Sequence, residues 1–193
     1  MIMYMYRKQI IAVTNRHLCA GALTEQIERV CRFRPGAVIL REKDMSEQEY
    51  LPLAGEIMEI CRSYDIPCIL HTFINAARAL NNNSIHLPLT LLREQQGTLE
   101  DFVTVGVSVH SVEDAREAEL LGASYLTAGH IYTTDCKKGV PPRGPAFLSE
   151  VCRAVSIPVY AIGGIGLKEQ QMEEVLSCGA RGGCVMSAMM RGL

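Results

Sequence analysis

The stretch 104-TVGVSVHSVEDAREAELLGASYLTAGHI-131 decides the fold. It begins and ends with short runs of apolar, β-branched and small residues, TVGVSVH (104–110) and YLTAGHI (125–131). Between them, SVEDAREAELLGA opens on a Ser-x-x-Asp capping pattern and closes on Gly122, the two signatures of a helix's ends. Strand, helix and strand in this order are one unit of an α/β fold.

The same alternation extends in both directions. Strand-like runs lie at 9–15, 37–43, 67–72, 84–89, 158–165 and 182–188. LPLAGEIMEICRSYD (51–65) repeats apolar residues at three and four, and LKEQQMEEVLSCGA (167–180) again ends near a glycine. Eight short buried strands, most followed by a helix, predict a closed parallel (β/α)₈ TIM barrel, with residues 1–193 as a single domain. A doubly wound open sheet is the alternative, but its usual strand count is lower. The chain is short for a barrel, so its loops must be short. Only MMRGL follows the last strand, so the final helix is short or missing. The apolar side left open calls for cover from an N-terminal segment or from a second copy in a homodimer.

Composition sets the outer limits. The chain is 48% hydrophobic and 21% charged with a formal net charge of −2, and no basic stripe with interleaved aromatics points to nucleic acid. The apolar N-terminus, MIMYMYRKQIIAVTN, has its charges after the first hydrophobic residues and is too short to span a membrane, so the expected location is the cytoplasm. Eight cysteines are scattered without a C-x-x-C pair, which predicts reduced, mostly buried thiols, with Cys68 and Cys184 inside strand-like runs.

In barrels of this class the chemistry collects where strands end and loops begin. Those ends carry Arg41 and Lys43, His71 and Thr72, His86, Ser108 and His110, then His130 with Thr133, Thr134, Lys137 and Lys138. Cations, hydroxyls and imidazoles together suit a small anionic ligand. Asp44 and Asp135 are the only carboxylates nearby, so no metal site is expected. AIGGIG after the seventh strand is the phosphate candidate, with the next helix N-terminus and the backbone around Met186 and Ser187 completing a cradle. A tight strand-to-helix turn would use the same glycines. His130 follows the small residues Ala128 and Gly129 at a strand end, where an imidazole can accept and return a proton; the competing role is a core histidine bonded to a backbone carbonyl. Alternation turns Arg41 and Lys43 to one side and Glu42 to the other.

These residues carry a resemblance. From AVTN through VILREK, GVSVHSVEDAREAELLGASYL, GHIYTTDCKKG, IPVYAIGGIG and VMSA, the chain resembles the thiamine phosphate synthase/TenI superfamily. Its GHIYTTDCKKGVPPRG looks like the thiazole tautomerase branch, because the synthases usually have Gly-Pro where Gly129–His130 stands. The synthases bind magnesium through an Asn-Asp after strand three and an aspartate after a His-Leu-Gly at strand four. Here those positions read His71–Thr72 and His86–Leu87–Pro88–Leu89, and the synthases' glutamine is Ile39.

The resemblance therefore implies a cofactor-independent isomerase of thiamine biosynthesis acting on a small phosphorylated thiazole. His130 is the implied proton-transfer residue. Arg41, Lys43, Thr134 and Lys137 are the implied substrate contacts, to which the strand-end reading adds Ser108, and Gly163, Gly164, Ile165, Met186 and Ser187 are the implied phosphate site. A synthase with atypical metal ligands and a non-catalytic, phosphate-ligand-sensing regulatory protein remain alternatives.

Overall fold

The computed structural model describes residues 3–134 and 139–192. Strands β1 (Ile10–Val13), β2 (Ala37–Leu40), β3 (Cys68–His71), β4 (Ser84–Pro88), β5 (Thr104–Val109), β6 (Tyr125–Gly129), β7 (Val159–Ile162) and β8 (Gly182–Val185) form a closed barrel in sequence order. Every neighbouring pair is parallel, and β8 closes onto β1. The helices are α1 (Met3–Tyr6), α2 (Leu23–Phe33), α3 (Glu47–Ser63), α4 (Ile74–Ala79), α5 (Leu89–Glu94), α6 (Val112–Leu120), α7 (Gly144–Ala154), α8 (Glu169–Ser177) and α9 (Ser187–Arg191). The predicted TIM barrel is the observed fold. No helix among the described residues is long and apolar enough to cross a membrane.

The strands read as continuous apolar runs because both of their faces are covered. Residues such as Ile10, Val38, Leu70, Ile85, Val107 and Leu126 pack outward into the layer shared with the helices. Their neighbours Ile11, Val13, Ile39, Ile69, Tyr125 and Cys184 form a second apolar cluster, as period-two alternation requires of the barrel interior. The Tyr125 ring is admitted by Gly106 on the next strand, where a Cβ would stand 2.2 Å from the ring.

Helix ends follow local chemistry. At α6, the Ser111 hydroxyl accepts the Asp114 N–H and the Asp114 carboxylate accepts the His110 N–H, each at 2.9 Å. Gly122 ends that helix at φ +89. Helix α3 begins at Glu47, ahead of the apolar repeat that starts at residue 51, because Ser46 and Glu49 form a reciprocal capping box. Pro52 therefore lies inside the helix.

The final helix is short, as expected: α9 has five residues. Its Met189 and Met190 are buried, and the Gln26 side chain of α2 donates to the Met189 carbonyl at 2.6 Å. The N-terminal α1 packs beside α8. The seven described cysteines are free thiols; Cys31, Cys61 and Cys184 are buried, while Cys19, Cys68, Cys152 and Cys178 are half-buried.

One buried tyrosine ties the second and third strands to α3. The Tyr50 hydroxyl donates to the Leu40 carbonyl at 2.7 Å and accepts the His71 N–H at 3.1 Å. Tyr50→Phe removes the hydroxyl that bonds both backbone groups. It is expected to lower unfolding stability by about 1–3 kcal/mol, measured by urea denaturation.

Candidate functional site

A cavity of about 1230 Å³ opens at the C-terminal end of the barrel. Of the residues singled out from sequence, Arg41, Lys43, Ser108, His130, Thr134, Gly163, Gly164, Ile165, Met186 and Ser187 all line it. Lys137, together with Asp135, Cys136 and Lys138, lies outside the described residues.

The wall at β1 and β2 is set by a buried carboxylate. Glu42 is 3% exposed. It accepts the Thr14 hydroxyl at 2.6 Å, the Arg16 N–H at 3.1 Å and the Arg16 guanidinium at 3.2 Å. Thr14 Oγ1 in turn accepts the Arg41 N–H at 2.8 Å. Arg16 also grips Asp44 with two bonds of 2.7 and 2.6 Å. That contact, with a second from His17, holds the Asp44 carboxyl well below its ordinary range. The backbone carrying Arg41 and Lys43 is pinned from behind by this clamp. β2 ends at Leu40, short of the strand expected over 37–43, so the alternation that would set Glu42 apart from Arg41 and Lys43 does not reach them, and all three line the cavity. Glu42's partners Thr14 and Arg16 were missed, because no local pattern links them to β2.

The floor is built from uncharged imidazoles and hydroxyls. His86 is fully engaged: Nδ1 bonds the Tyr125 hydroxyl at 2.9 Å and Nε2 the Ser108 hydroxyl at 2.8 Å. Thr127 Oγ1 reaches Ser108 at 3.2 Å. The His71 ring stacks on His86 with centroids 5.7 Å apart. Burial pushes His71 down to about 2, helped by His86, Arg41 and Lys43, and burial with Arg41 pushes His86 down to about 3. Both rings are neutral at physiological pH.

Thr72, directly after β3, has φ +73, and the Phe73 N–H bonds the His71 carbonyl at 2.9 Å, a γ-turn centred on a β-branched residue. Such a conformation costs about 1–3 kcal/mol and persists where the surroundings enforce it. Here Thr72 N–H also bonds the His86 carbonyl at 3.0 Å, and its hydroxyl meets His71 Nδ1 at 2.6 Å.

The glycine loop after β7 closes the opposite part of the cavity. Gly163 has φ +96 and Gly164 φ +70, conformations open chiefly to glycine. The Tyr132 N–H bonds the Gly163 carbonyl at 2.9 Å. The Gln171 side chain of α8 donates to the Gly164 carbonyl at 2.9 Å and accepts the Gly166 N–H at 2.8 Å. This corrects one expectation: α8 starts at Glu169, set back from the glycines, so its N-terminus does not complete the cradle. The loop and the start of α9 supply the lining instead.

Two histidines prove to be wall residues. His110 Nδ1 bonds the Gly129 carbonyl at 3.0 Å. His130 is 5% exposed and its Nε2 bonds the Val140 carbonyl at 3.3 Å, the packed-histidine arrangement. The Gly129–His130 peptide is cis.

Among the described residues, the cavity does not offer a hard divalent cation its usual set of donors. Magnesium takes oxygen donors, mainly carboxylates and water, and the positions at the ends of β3 and β4 hold His71, Thr72 and Pro88. Among the described residues, the cavity's carboxylates are Glu42, taken up by Thr14 and Arg16, and Asp114, which caps α6.

A family model described as Thiamine monophosphate synthase matches residues 10–189. The thiamine-phosphate synthase of Clostridium novyi is 32% identical over 190 residues, covering 95% of this chain and 91% of that protein. That of Enterococcus faecalis is 35% identical over 188 residues, covering 94% and 86%. The solved thiamine phosphate pyrophosphorylase from Pyrococcus furiosus superposes with a TM-score of 0.81 at 27% identity, over 97% of this chain and 90% of that one.

These relatives overturn the isomerase expectation: proteins 30–37% identical are named as synthases, which are transferases. That expectation leaned on His130, and a buried imidazole bonded to a backbone carbonyl does not single out proton transfer. From its barrel, its cavity and its relatives, the chain belongs to the thiamine monophosphate synthase family.

Proposed function

We propose that this protein is a transferase that forms thiamine phosphate. The product is a thiazolium whose ring nitrogen carries a pyrimidinylmethyl group. Its formation therefore joins a thiazole phosphate to the methylene carbon of a pyrimidine pyrophosphate ester. The N–C bond forms with the nitrogen lone pair, the C–O bond breaks, and pyrophosphate leaves with that electron pair. No proton has to be moved, which is compatible with a buried His130.

The observation that carries this reading is one cavity lined by both a glycine cradle and a cation pair. One phosphate is kept through the reaction and one pyrophosphate is expelled. Gly163, Gly164, Ile165, Met186 and Ser187 suit the retained phosphate. Arg41 and Lys43 suit the charge that grows on the leaving group, which preorganised donors stabilise most strongly away from water. Ser108 and Thr134 offer hydroxyls to the rings. The names of the relatives support the same chemistry.

The purified chain, given a thiazole phosphate and a pyrimidine pyrophosphate, is expected to release thiamine phosphate and pyrophosphate in equal amounts. Arg41→Gln should lower the rate by about 10²–10³-fold, the usual effect of removing one transition-state donor, with an unchanged unfolding curve. A wild-type protein that makes neither product would end the transferase reading. One observation favours a second role, ligand sensing without turnover: the missing carboxylate pair at the ends of β3 and β4 among the described residues. Tight binding of the thiazole phosphate by a catalytically silent wild type would support it.

A further inference from the structure

We infer that Tyr125, acting through His86, is a positioning residue that turns the Ser108 hydroxyl hydrogen into the cavity, toward an acceptor atom of the substrate. That the acceptor is a ring nitrogen of the pyrimidine rests on the transferase reading; the direction of the hydrogen rests on the protein's own hydrogen bonds.

Strand register puts the three groups in line. His86 on β4 stands opposite Gly106 on β5, and Gly106 stands opposite Tyr125 on β6. Gly106 has no side chain, so the Tyr125 phenol crosses the inner face of β5 and its hydroxyl meets His86 Nδ1 at 2.9 Å. A Cβ at Gly106 would stand 2.4 Å from that hydroxyl oxygen. Two residues further along the strands, Ser108 is paired with Thr127. His86 Nε2 meets Ser108 Oγ at 2.8 Å, and Thr127 Oγ1 reaches the same oxygen at 3.2 Å. Tyr125 itself lines a separate cavity of about 210 Å³ at the strand starts, so its influence on the main cavity passes through His86.

Counting hydrogens fixes the direction. Burial holds His86 neutral, so its ring carries one N–H. Were that N–H on Nδ1, it would donate to Tyr125, and the phenol hydrogen of this buried side chain would have no acceptor among the described residues. A buried donor left unpaired costs about 1–3 kcal/mol. With the N–H on Nε2, the phenol donates to Nδ1 and both ring nitrogens are satisfied. Ser108 Oγ then accepts from His86 and from Thr127, which occupies both of its lone pairs. Its own hydrogen is left for the cavity, which Ser108 lines. The opposite tautomer would draw that hydrogen into His86 and offer the substrate only a lone pair.

Such a donor suits one of the two rings. The thiazole nitrogen must keep its lone pair free to attack carbon, and a hydrogen bond there would slow the reaction. A pyrimidine nitrogen makes no new bond and can accept the hydrogen throughout.

The first test is long-range proton–nitrogen NMR of the full chain labelled with nitrogen-15 histidine, the His86 signals being assigned by their loss in His86→Gln. The wild type should show a bare Nδ1 and a protonated Nε2, and Tyr125→Phe should show both tautomers. The second test is a double-substitution cycle on KM for the pyrimidine pyrophosphate. Ser108→Ala should raise KM by about five- to tenfold, the size of one hydrogen bond, and Tyr125→Phe by at least about threefold. In the Ser108→Ala background, Tyr125→Phe should add less than about 1.5-fold, whereas a merely structural loss would multiply.

A wild-type His86 protonated at Nδ1 overturns the inference, whether or not Tyr125→Phe folds. So does a folded Tyr125→Phe protein with an unchanged tautomer, and so do effects on KM that multiply. The two proposals fail separately. A protein with the Nε2–H tautomer that forms no thiamine phosphate would end the transferase reading alone. An active transferase with the Nδ1–H tautomer would end the positioning inference alone.

Discussion

Gly164→Ala is expected to lower the midpoint of thermal unfolding by about 5–15 °C and to abolish phosphate binding. A Cβ at Gly164 would stand 2.5 Å from the Thr133 carbonyl oxygen, 2.7 Å from Tyr132 Cβ and 2.8 Å from its carbonyl carbon. Two of these three are backbone atoms, so no rotamer change relieves the clash. The position also has φ +70, where alanine loses about 1 kcal/mol or more relative to glycine. Overpacking adds about 1–3 kcal/mol. For a chain of this size each kcal/mol moves the midpoint by about 2–4 °C.

Gly122→Ala separates the two causes. Its φ is +89 but a Cβ there would meet nothing within 4 Å. It should therefore lose only the conformational share, about 1 kcal/mol, and leave ligand binding intact. Equal losses at both positions would mean that the loops after β6 and β7 are not packed as tightly as the geometry indicates.

Acid should destabilise this protein well above the range in which its carboxylates titrate. In the folded state His71 is pushed down to about 2 and His86 to about 3, whereas an unfolded histidine titrates near 6.5. Between these values the unfolded chain binds more protons than the folded one, so stability rises with pH and levels off above about 6.5. Falling from pH 8 to pH 5 should cost about 2 kcal/mol for each imidazole, about 4 kcal/mol for the pair.

The lowered Asp44 carboxyl has the same sign but acts in a lower window, below about 4. Urea unfolding at intervals between pH 5 and 8 reads the slope directly. His86→Gln should halve it, even though the variant is less stable at every pH. A flat profile over that interval would mean that the fold holds neither ring neutral, and half the slope that it holds only one.

Much of the architecture could be read locally, and particular elements show why. Strands buried on both faces produce apolar runs such as 37–40 and 104–109, and a helix that lies on a sheet announces itself by its caps, as Ser111 and Gly122 do. Arg41 and Lys43, just past the end of β2, both line the cavity, as strand ends of a barrel do. The adjacent glycines 163 and 164 had to mark a close backbone approach. The start of α3 went unread because its capping box precedes the apolar repeat.

What the sequence by itself determined is the alternation of strands and helices, and with it the barrel and the ring of strand ends from which the cavity is made. Periodicity and capping are properties of neighbouring residues, so they survive in one dimension. Only the tertiary structure decided the charge and the partners of the side chains at those ends. His86 is kept neutral by burial and held by Tyr125, 39 residues away, and Glu42 is held by Thr14, 28 residues away. His130, open in the linear chain to either a proton-transfer or a packing role, lines the cavity and is bonded to the Val140 carbonyl in the folded one. Desolvation and hydrogen bonding depend on what the closed barrel brings into contact, and that contact is made only when β8 meets β1.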